Sequence, residues 1–593
     1  MRSFLKYTLA SITGIIIASL LGFFIMAGIF SAIVASSEKE VHIKDHSVLV
    51  LKLDAQLSDR APNNPFQDLE LPGFEGSKRL GLDEITEAIE KAKHESKIKG
   101  IYLKLDNVMG GYAMAEEIRN ALADFKQESG KFVYAYSSTY SQKAYYLASV
   151  ADKVFINPEG MLEFAGLASQ HSFYKNALEK LGIEVQVIRH GKFKAAVEPF
   201  MLEEMSAENR EQIEVYIGSI WNNVVNQIGQ SRGLSPEKLN QLADKNMTFQ
   251  PAGELLASGL VDSIVYEDQF LDFLREATGT AEDKEINAHS VADMKSVAAP
   301  RKGKGLAKDK IAVIYGIGEI GMSASPFDDE SISGPYLARE IRKARKDSTI
   351  KAIVFRINSP GGSSLASDLI WREVVLAQQL KPVVVSMGDV AASGGYYIAC
   401  AADSIVANPT TITGSIGVFG LVPNMEELFE DKLGINNEVV KTNELSDLPS
   451  VTRPMSTIEK AQMQNMVETV YDTFVKHVAE GRNMSYEAVD AIGQGRVWTG
   501  ENAKELGLVD VLGNLDTAID IAAELAQLEN YRTVQLPKQK DPIAELMEGF
   551  SSELKYRVIK NELGEGTRYY KTLEKIKNSR GILTRMPYEV VIE

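Results

Sequence analysis

The sequence predicts an α/β protein made of two tandem copies of one domain, preceded by an N-terminal transmembrane helix. Three observations carry this reading. Residues 7–37 contain no charged side chain. Two long stretches of the chain repeat one another at an offset of about 251 residues. Within each copy, short β-rich apolar runs alternate with segments of helical period, which is the signature of parallel βαβ units.

Composition narrows the function classes. Of 593 residues, 45% are hydrophobic and 24% charged, the balance of a globular chain. The net charge is −17 and the basic residues form no dense stripe, so no nucleic-acid partner is expected. Cys400 is the single cysteine, which forbids an intrachain disulfide and a cysteine-built zinc site. The seven histidines lack metal-ligand spacing, so neither a metal nor a cofactor is expected.

The uncharged run exceeds the roughly 20 residues needed to span a bilayer. Arg2 and Lys6 precede it, and Glu38, Lys39 and Glu40 follow. The positive-inside rule keeps the N-terminus cytoplasmic and exports the rest, giving a single-pass protein of the plasma (inner) membrane with its body on the extracytoplasmic side. The alternative is a long cleaved signal, since Ala32-Ile33-Val34-Ala35 places small residues near a cleavage point.

The repeat is ordered. Ile101-Tyr102-Leu103-Lys104-Leu105 is answered by Ile353-Val354-Phe355-Arg356-Ile357, each leading to a double glycine. Lys131–Ala135 matches Pro382–Ser386, and Tyr145-Tyr146-Leu147-Ala148 matches Tyr396-Tyr397-Ile398-Ala399. Ala151–Pro158 matches Ala402–Pro409. The offset is too long for a solenoid and suits two similar domains. Expected boundaries are residues 1–40 for the N-terminus and anchor, 41–275 for the first repeat, 276–308 for a linker, 309–540 for the second repeat and 541–593 for a tail. The tail's role is not legible.

The copies differ where chemistry is expected. The second has Ser393 in Ala391-Ala392-Ser393-Gly394-Gly395-Tyr396-Tyr397, where the first has Gln142. It also has Ser415 in Thr413-Gly414-Ser415-Ile416-Gly417, where the first has Phe164. Conversely, the first carries Lys194 in Gly191-Lys192-Phe193-Lys194-Ala195-Ala196-Val197-Glu198-Pro199, and the second has no lysine in register near Leu445. One site assembled from both copies is therefore expected. A serine hydroxyl needs a base within hydrogen-bond reach. A lysine serves if burial lowers its pKa. Backbone donors for an oxyanion are offered by Gly394 and by the Ser359-Pro360-Gly361-Gly362 turn. Ser415 is placed to orient Lys194.

Together, Ile357-Asn358-Ser359-Pro360-Gly361-Gly362, the Ser393 motif and the Ser415 motif resemble the signal peptide peptidase A family, also called protease IV. The anchor, the duplication and the Lys194–Pro199 segment resemble its long, two-domain form. The likeness covers roughly residues 40–535. It implies two Clp/crotonase-like domains of ββα superhelix units and a Ser/Lys dyad, with Ser393 as nucleophile, Lys194 as general base and Ser415 orienting the lysine. It also implies a bowl-shaped homotetramer that degrades residual signal peptides in the membrane.

Competing readings stand beside these. Ser393 alone reads as a helix cap, Ser415 as a turn serine, and Lys194 as a solvated lysine with Lys192 as its rival. His190, four residues from Lys194, is a rival base. Cys400 reads as a small core residue, and Tyr396-Tyr397 as helix packing or the lining of a substrate groove. For the whole chain, the alternatives are a crotonase-type acyl-CoA enzyme and a catalytically inactive membrane scaffold.

Overall fold

A computed structural model describes residues 6–8, 11–22, 24, 42–61, 79–297, 307–323, 330–539 and 582–585. Runs of branched apolar residues such as Ile353-Val354-Phe355 and Val383-Val384-Val385 form strands buried on both faces, as parallel sheets covered by helices require. The first repeat builds a six-stranded, all-parallel sheet. Its order is Ser263–Ile264, Lys153–Leu162, Phe132–Tyr140, Ile98–Leu103, Ser47–Leu51 and Asn287–His289.

The second repeat reproduces that order. Val511–Leu512, Ser404–Ala407, Val383–Ala392, Ile350–Ser359, Lys310–Ile317 and Arg532–Leu536 lie side by side and parallel. Ile412–Gly414 also pairs with Val383–Ala392, and Val497–Thr499 closes on it antiparallel.

The duplication extends to individual hydrogen bonds. Asp152 accepts from Val133 N and Asp403 from Val383 N, both at 2.8 Å. Tyr145 donates to Leu260 O at 2.8 Å, and Tyr396 to Leu508 O at 2.9 Å. The helices Ala207–Arg232 and Thr457–Arg482 are each 26 residues long. Ser206 and Ser456 cap their N-termini by accepting from the amide three residues on. Gly233 and Asn483 end them in the left-handed conformation, where those two residue types are least strained.

Two boundaries differ from the sequence reading. The segment expected as a linker, 276–308, begins inside the helix Glu267–Thr278 and contains the strand Asn287–His289, which adds an edge to the first sheet. Met294 is buried in the first core. The run of Gly, Ala, Lys and Asp hid this because a three-residue edge strand leaves almost no periodic signal. Most of the expected tail lies outside the described residues, but Ile582–Arg585 forms a strand. Residues 11–22 are helical and expose Ile12, Ile15, Ile16, Ile17, Leu20 and Leu21. Among the described residues no helix is long and apolar enough to cross a membrane, and much of the expected anchor falls outside them.

Buried charge fixes one repeat against the other. Arg356 of the second repeat pairs with Asp59 at 2.6 Å and Glu117 at 2.8 Å, all three side chains at most 4% exposed. Asn408 Nδ2 donates to Glu117, and Thr410 Oγ1 to Glu116. Asp389 accepts from the amides of Gly111 and Met114, each at 2.9 Å, at the start of the helix Tyr112–Ser129. A carboxylate there satisfies otherwise unpaired amides and complements the helix dipole.

A third sheet spans both repeats. Its order is Ser331–Ser333, Glu319–Gly321, Gly361–Ser363, Ile582–Arg585, Phe419–Asn424 and Glu184–Arg189. The last strand belongs to the first repeat and runs antiparallel to Phe419–Asn424 over six residue pairs.

Removing Arg356 strands two buried carboxylates. Arg356→Ala is expected to cost about 3–5 kcal/mol, read as a lower urea midpoint. A midpoint unchanged from wild type would mean that the ion cluster does not hold the repeats together.

Candidate active site

Ser393 sits where the strand Val383–Ala392 breaks into the short helix Gly394–Tyr397. Its backbone lies at φ 57° and ψ −114°, a conformation that non-glycine residues rarely adopt. The turn is held by Ser393 N donating to Gly414 O at 2.8 Å, and by Tyr397 N donating to Ser393 O at 2.8 Å. Such a strained strand-to-helix turn lifts a serine hydroxyl out of the line of its own strand.

Lys194 arrives from the other repeat. It precedes the 3-10 turn Ala195–Val197, is fully buried, and donates from Nζ to Ser393 Oγ at 2.8 Å. The same nitrogen reaches Ser415 O and Ser415 Oγ, each at 3.0 Å. Burial holds the Lys194 pKa well below its ordinary 10.5, and no carboxylate among the described residues offsets that effect. Ser415 has φ 50° and is pinned by its N–H donating to Arg496 O at 2.7 Å.

Second-repeat residues clamp the lysine loop. Phe193 N donates to Gln494 O at 3.1 Å. Gln212 donates to Phe193 O and accepts from Val497 N, both at 3.1 Å, bridging the repeats. Gly495 lies against the lysine backbone at φ 85°, where a Cβ would come within 2.6 Å of Lys194 N and Cα. Nothing in the spacing of the sequence pointed to Gln212, Gln494 or Gly495. Their signal is contact across 285 or more residues of chain, which no local pattern encodes.

The glycines expected as oxyanion donors surround Ser393. A Cβ on Gly361, which has φ 95°, would stand 2.6 Å from Gly394 N, so the two turns touch. The Gly361 amide already donates to Ser359 Oγ at 3.2 Å. Gly362 forms part of the strand Gly361–Ser363, and the helix Ser364–Gln378 follows with Ser363 as its cap.

The rivals lie elsewhere. His190 bonds Glu468 and stacks on Tyr471 at 3.7 Å between ring centroids. Lys192 Nζ lies over the Phe193 ring at 5.3 Å. Cys400 is fully buried and donates to Tyr397 O. In the first repeat the equivalent place is filled. Gln142 is buried, accepts from the amides of Ala165 and Gly166, and donates to Gly166 O and Tyr112 Oη. Phe164 packs on Tyr145 and Trp221 where Ser415 stands in the other copy.

Comparison with known proteins agrees with this duplication. The family model described as peptidase family S49 matches twice, over residues 125–280 and 376–529. "Protease 4" of Haemophilus influenzae is 34% identical over 526 residues, covering 87% of this chain and 85% of that protein. "Serine protease SPPA, chloroplastic" of Arabidopsis thaliana is 33% identical over 521 residues, 86% of this chain and 74% of its own. Among solved structures, a ClpP1 mutant from Listeria monocytogenes aligns with 35% of this chain and 94% of its own at 17% identity, with a TM-score of 0.23.

These matches make the molecule a serine protease. The chain belongs to peptidase family S49. That membership favours the peptidase reading over an acyl-CoA enzyme or an inactive scaffold.

Two outcomes follow from the geometry. Gly361→Ala, whose new methyl would meet Gly394 N at 2.6 Å, is expected to fold and to lose activity by about 10²-fold or more. Retained activity would show that the two turns need not touch. For Lys194 the folded pKa lies well below the unfolded one, so between the two the unfolded chain binds the extra proton and stability rises with pH up to about 10.5. Lys194→Met is therefore expected to raise the thermal midpoint at pH 7, with the gain shrinking as the pH approaches 10.5. A midpoint that falls at pH 7 would contradict a neutral buried lysine.

Proposed function

We propose that the protein is a membrane-anchored serine endopeptidase with a Ser393/Lys194 dyad. The observation that carries the reading is the 2.8 Å contact between Lys194 Nζ of one repeat and Ser393 Oγ of the other, at a lysine without a carboxylate partner among the described residues. In its neutral form Lys194 takes the proton of Ser393, and Ser393 Oγ attacks the scissile carbonyl carbon. The Gly394 amide, with an amide from Gly361 or Gly362, holds the oxyanion. Lys194 then gives the proton to the leaving amine, and water hydrolyses the acyl-enzyme. Ser415 fixes the lysine's direction through its two contacts with Nζ.

In this reading each repeat is a Clp/crotonase-like unit, and the substrates are cleaved signal peptides and other extended apolar peptides. The uncharged run over residues 7–37 supports a single-pass anchor, as does the exposed apolar helix over 11–22. The catalytic repeats then lie on the extracytoplasmic side of the plasma (inner) membrane, beside the lipid where signal-peptide remnants collect. The assembly is a homotetramer, which light scattering of the detergent-solubilised chain tests.

The deciding experiment compares wild type with Lys194→Ala and Ser393→Ala on a fluorogenic signal-peptide substrate. Each variant is expected to lose about 10²-fold or more in kcat/KM. Equal cleavage by wild type and Lys194→Ala would remove the lysine from the mechanism. Wild-type activity is expected to fall as pH falls and Lys194 takes a proton, and a rate flat from neutral to about pH 5 would refute a lysine base.

A further inference from the structure

A short segment of the second repeat, residues 494–496, touches both loops that carry the lysine and its companion serine. Gln494 O accepts from Phe193 N at 3.1 Å, and Gly495 lies against the Lys194 backbone. On the other side, Arg496 O accepts from Ser415 N and Gly495 N donates to Ile416 O, both at 2.7 Å. The Ser415 hydroxyl donates to Gly495 O at 3.3 Å. That last bond decides how Lys194 faces its neighbours. Ser415 O can only accept, and Ser415 Oγ, its own proton given to Gly495, accepts as well. These two atoms take the two N–H bonds of a neutral lysine amine, whose third contact is Ser393 Oγ. The lone pair is left for the serine.

The segment is held in an unfavourable shape. Gln494 has φ 52° and Gly495 φ 85°, and the left-handed region is costly for glutamine. The tie is Tyr471, buried on the helix Thr457–Arg482. Its hydroxyl accepts from Gln494 N at 3.1 Å and donates to Asp490 Oδ1 at 2.6 Å. Burial, and then Asp490, push the Tyr471 pKa up, so the hydroxyl keeps the proton it donates. From the first repeat, His190 stacks on the ring at 3.7 Å between centroids and bonds Glu468. A Cβ on Gly191, which has φ 90°, would collide with Gln494 O, so the start of the lysine loop packs on the same peptide.

We propose that Tyr471 is a positioning residue for the Ser393/Lys194 dyad, acting through residues 494–496 and the Gly495 carbonyl that takes the Ser415 proton. The proposal rests on the endopeptidase reading above. Without the hydroxyl, Gln494 N and Asp490 each lose a partner and the segment relaxes. Ser415 is then free to turn its proton toward Nζ, and water gains a path to the lysine. Lys194 holds a proton more readily, which weakens the base without altering peptide binding.

The test is Tyr471→Phe in the full chain, with Tyr145→Phe as control. Tyr145 is an equally buried tyrosine of the first repeat, whose hydroxyl donates to Leu260 O. On the fluorogenic signal-peptide substrate, Tyr471→Phe is expected to lower kcat about tenfold at pH 7 with KM unchanged. The acid limb of its pH–rate profile moves up by about one pH unit, so the loss shrinks toward pH 9. Tyr145→Phe leaves the limb where it stands in wild type. A loss equal at every pH, or no loss, would overturn the proposal, because it would make Tyr471 a packing residue. Should Tyr471→Phe fail to fold, Asp490→Ala, which removes the acceptor that orients the hydroxyl, carries the same test with the same expected shift. Amide exchange keeps this proposal separable from the reading it rests on. The Phe193 and Ser415 amides, bonded to Gln494 O and Arg496 O, are expected to exchange about tenfold faster in Tyr471→Phe than in wild type or Tyr145→Phe. Faster exchange with no cleavage by wild type would refute the endopeptidase reading and uphold the hold of Tyr471 on both loops. Exchange at wild-type rates would overturn that hold whether or not peptide is cleaved.

Discussion

A lysine with no counter-ion among the described residues, buried against a serine, sets the terms for the rest of this molecule. A lysine can act as a base only while neutral, and burial away from water favours that form of Lys194. Desolvation of this kind costs stability, so the surrounding structure has to be strong enough to hold the lysine in place. The site also needs Ser393 in a backbone conformation that serine disfavours. Both demands fall on the contact between the repeats, because the lysine belongs to one and the serine to the other.

That contact is correspondingly polar and over-determined. Arg356 with Asp59 and Glu117, and Asp389 on the amides of Gly111 and Met114, fix the two large sheets without touching the site. Closer in, Gln212 and Gln494 hold the two sides of Phe193, one residue from the lysine. The strand Glu184–Arg189, paired with Phe419–Asn424, fixes the approach of the same loop. A buried ion cluster is a weak source of net stability but a good source of specificity, since displacing either partner leaves a charge unpaired. Here that specificity becomes the register of a lysine on a hydroxyl.

Much of this was legible in the sequence because duplication supplies its own control. The matched strands and the Tyr145/Tyr396 pair define a register, and against it Gln142 opposite Ser393 and Phe164 opposite Ser415 stand out. Lys194 was legible for the same reason. What the sequence concealed depends on long-range or very short contacts. Gly495 reads as one glycine among many until the lysine backbone is seen against it. The edge strand Asn287–His289 is too short for a period, so its segment read as a linker. The strand Ile582–Arg585 is equally short and is recognised only by the two edges it joins.

The filled first copy explains why the division of labour persists. Gln142 satisfies the amides of Ala165 and Gly166 with its own side chain, and Phe164 closes the space above with an aromatic cluster. Replacing Gln142 by serine would take that acceptor from the amides of Ala165 and Gly166 and open a void beside buried Tyr112 and Phe164, which is costly. Each copy is therefore committed. The first gives its interior to packing and its Lys194 loop to its neighbour, and the second keeps a strained serine against which that loop packs.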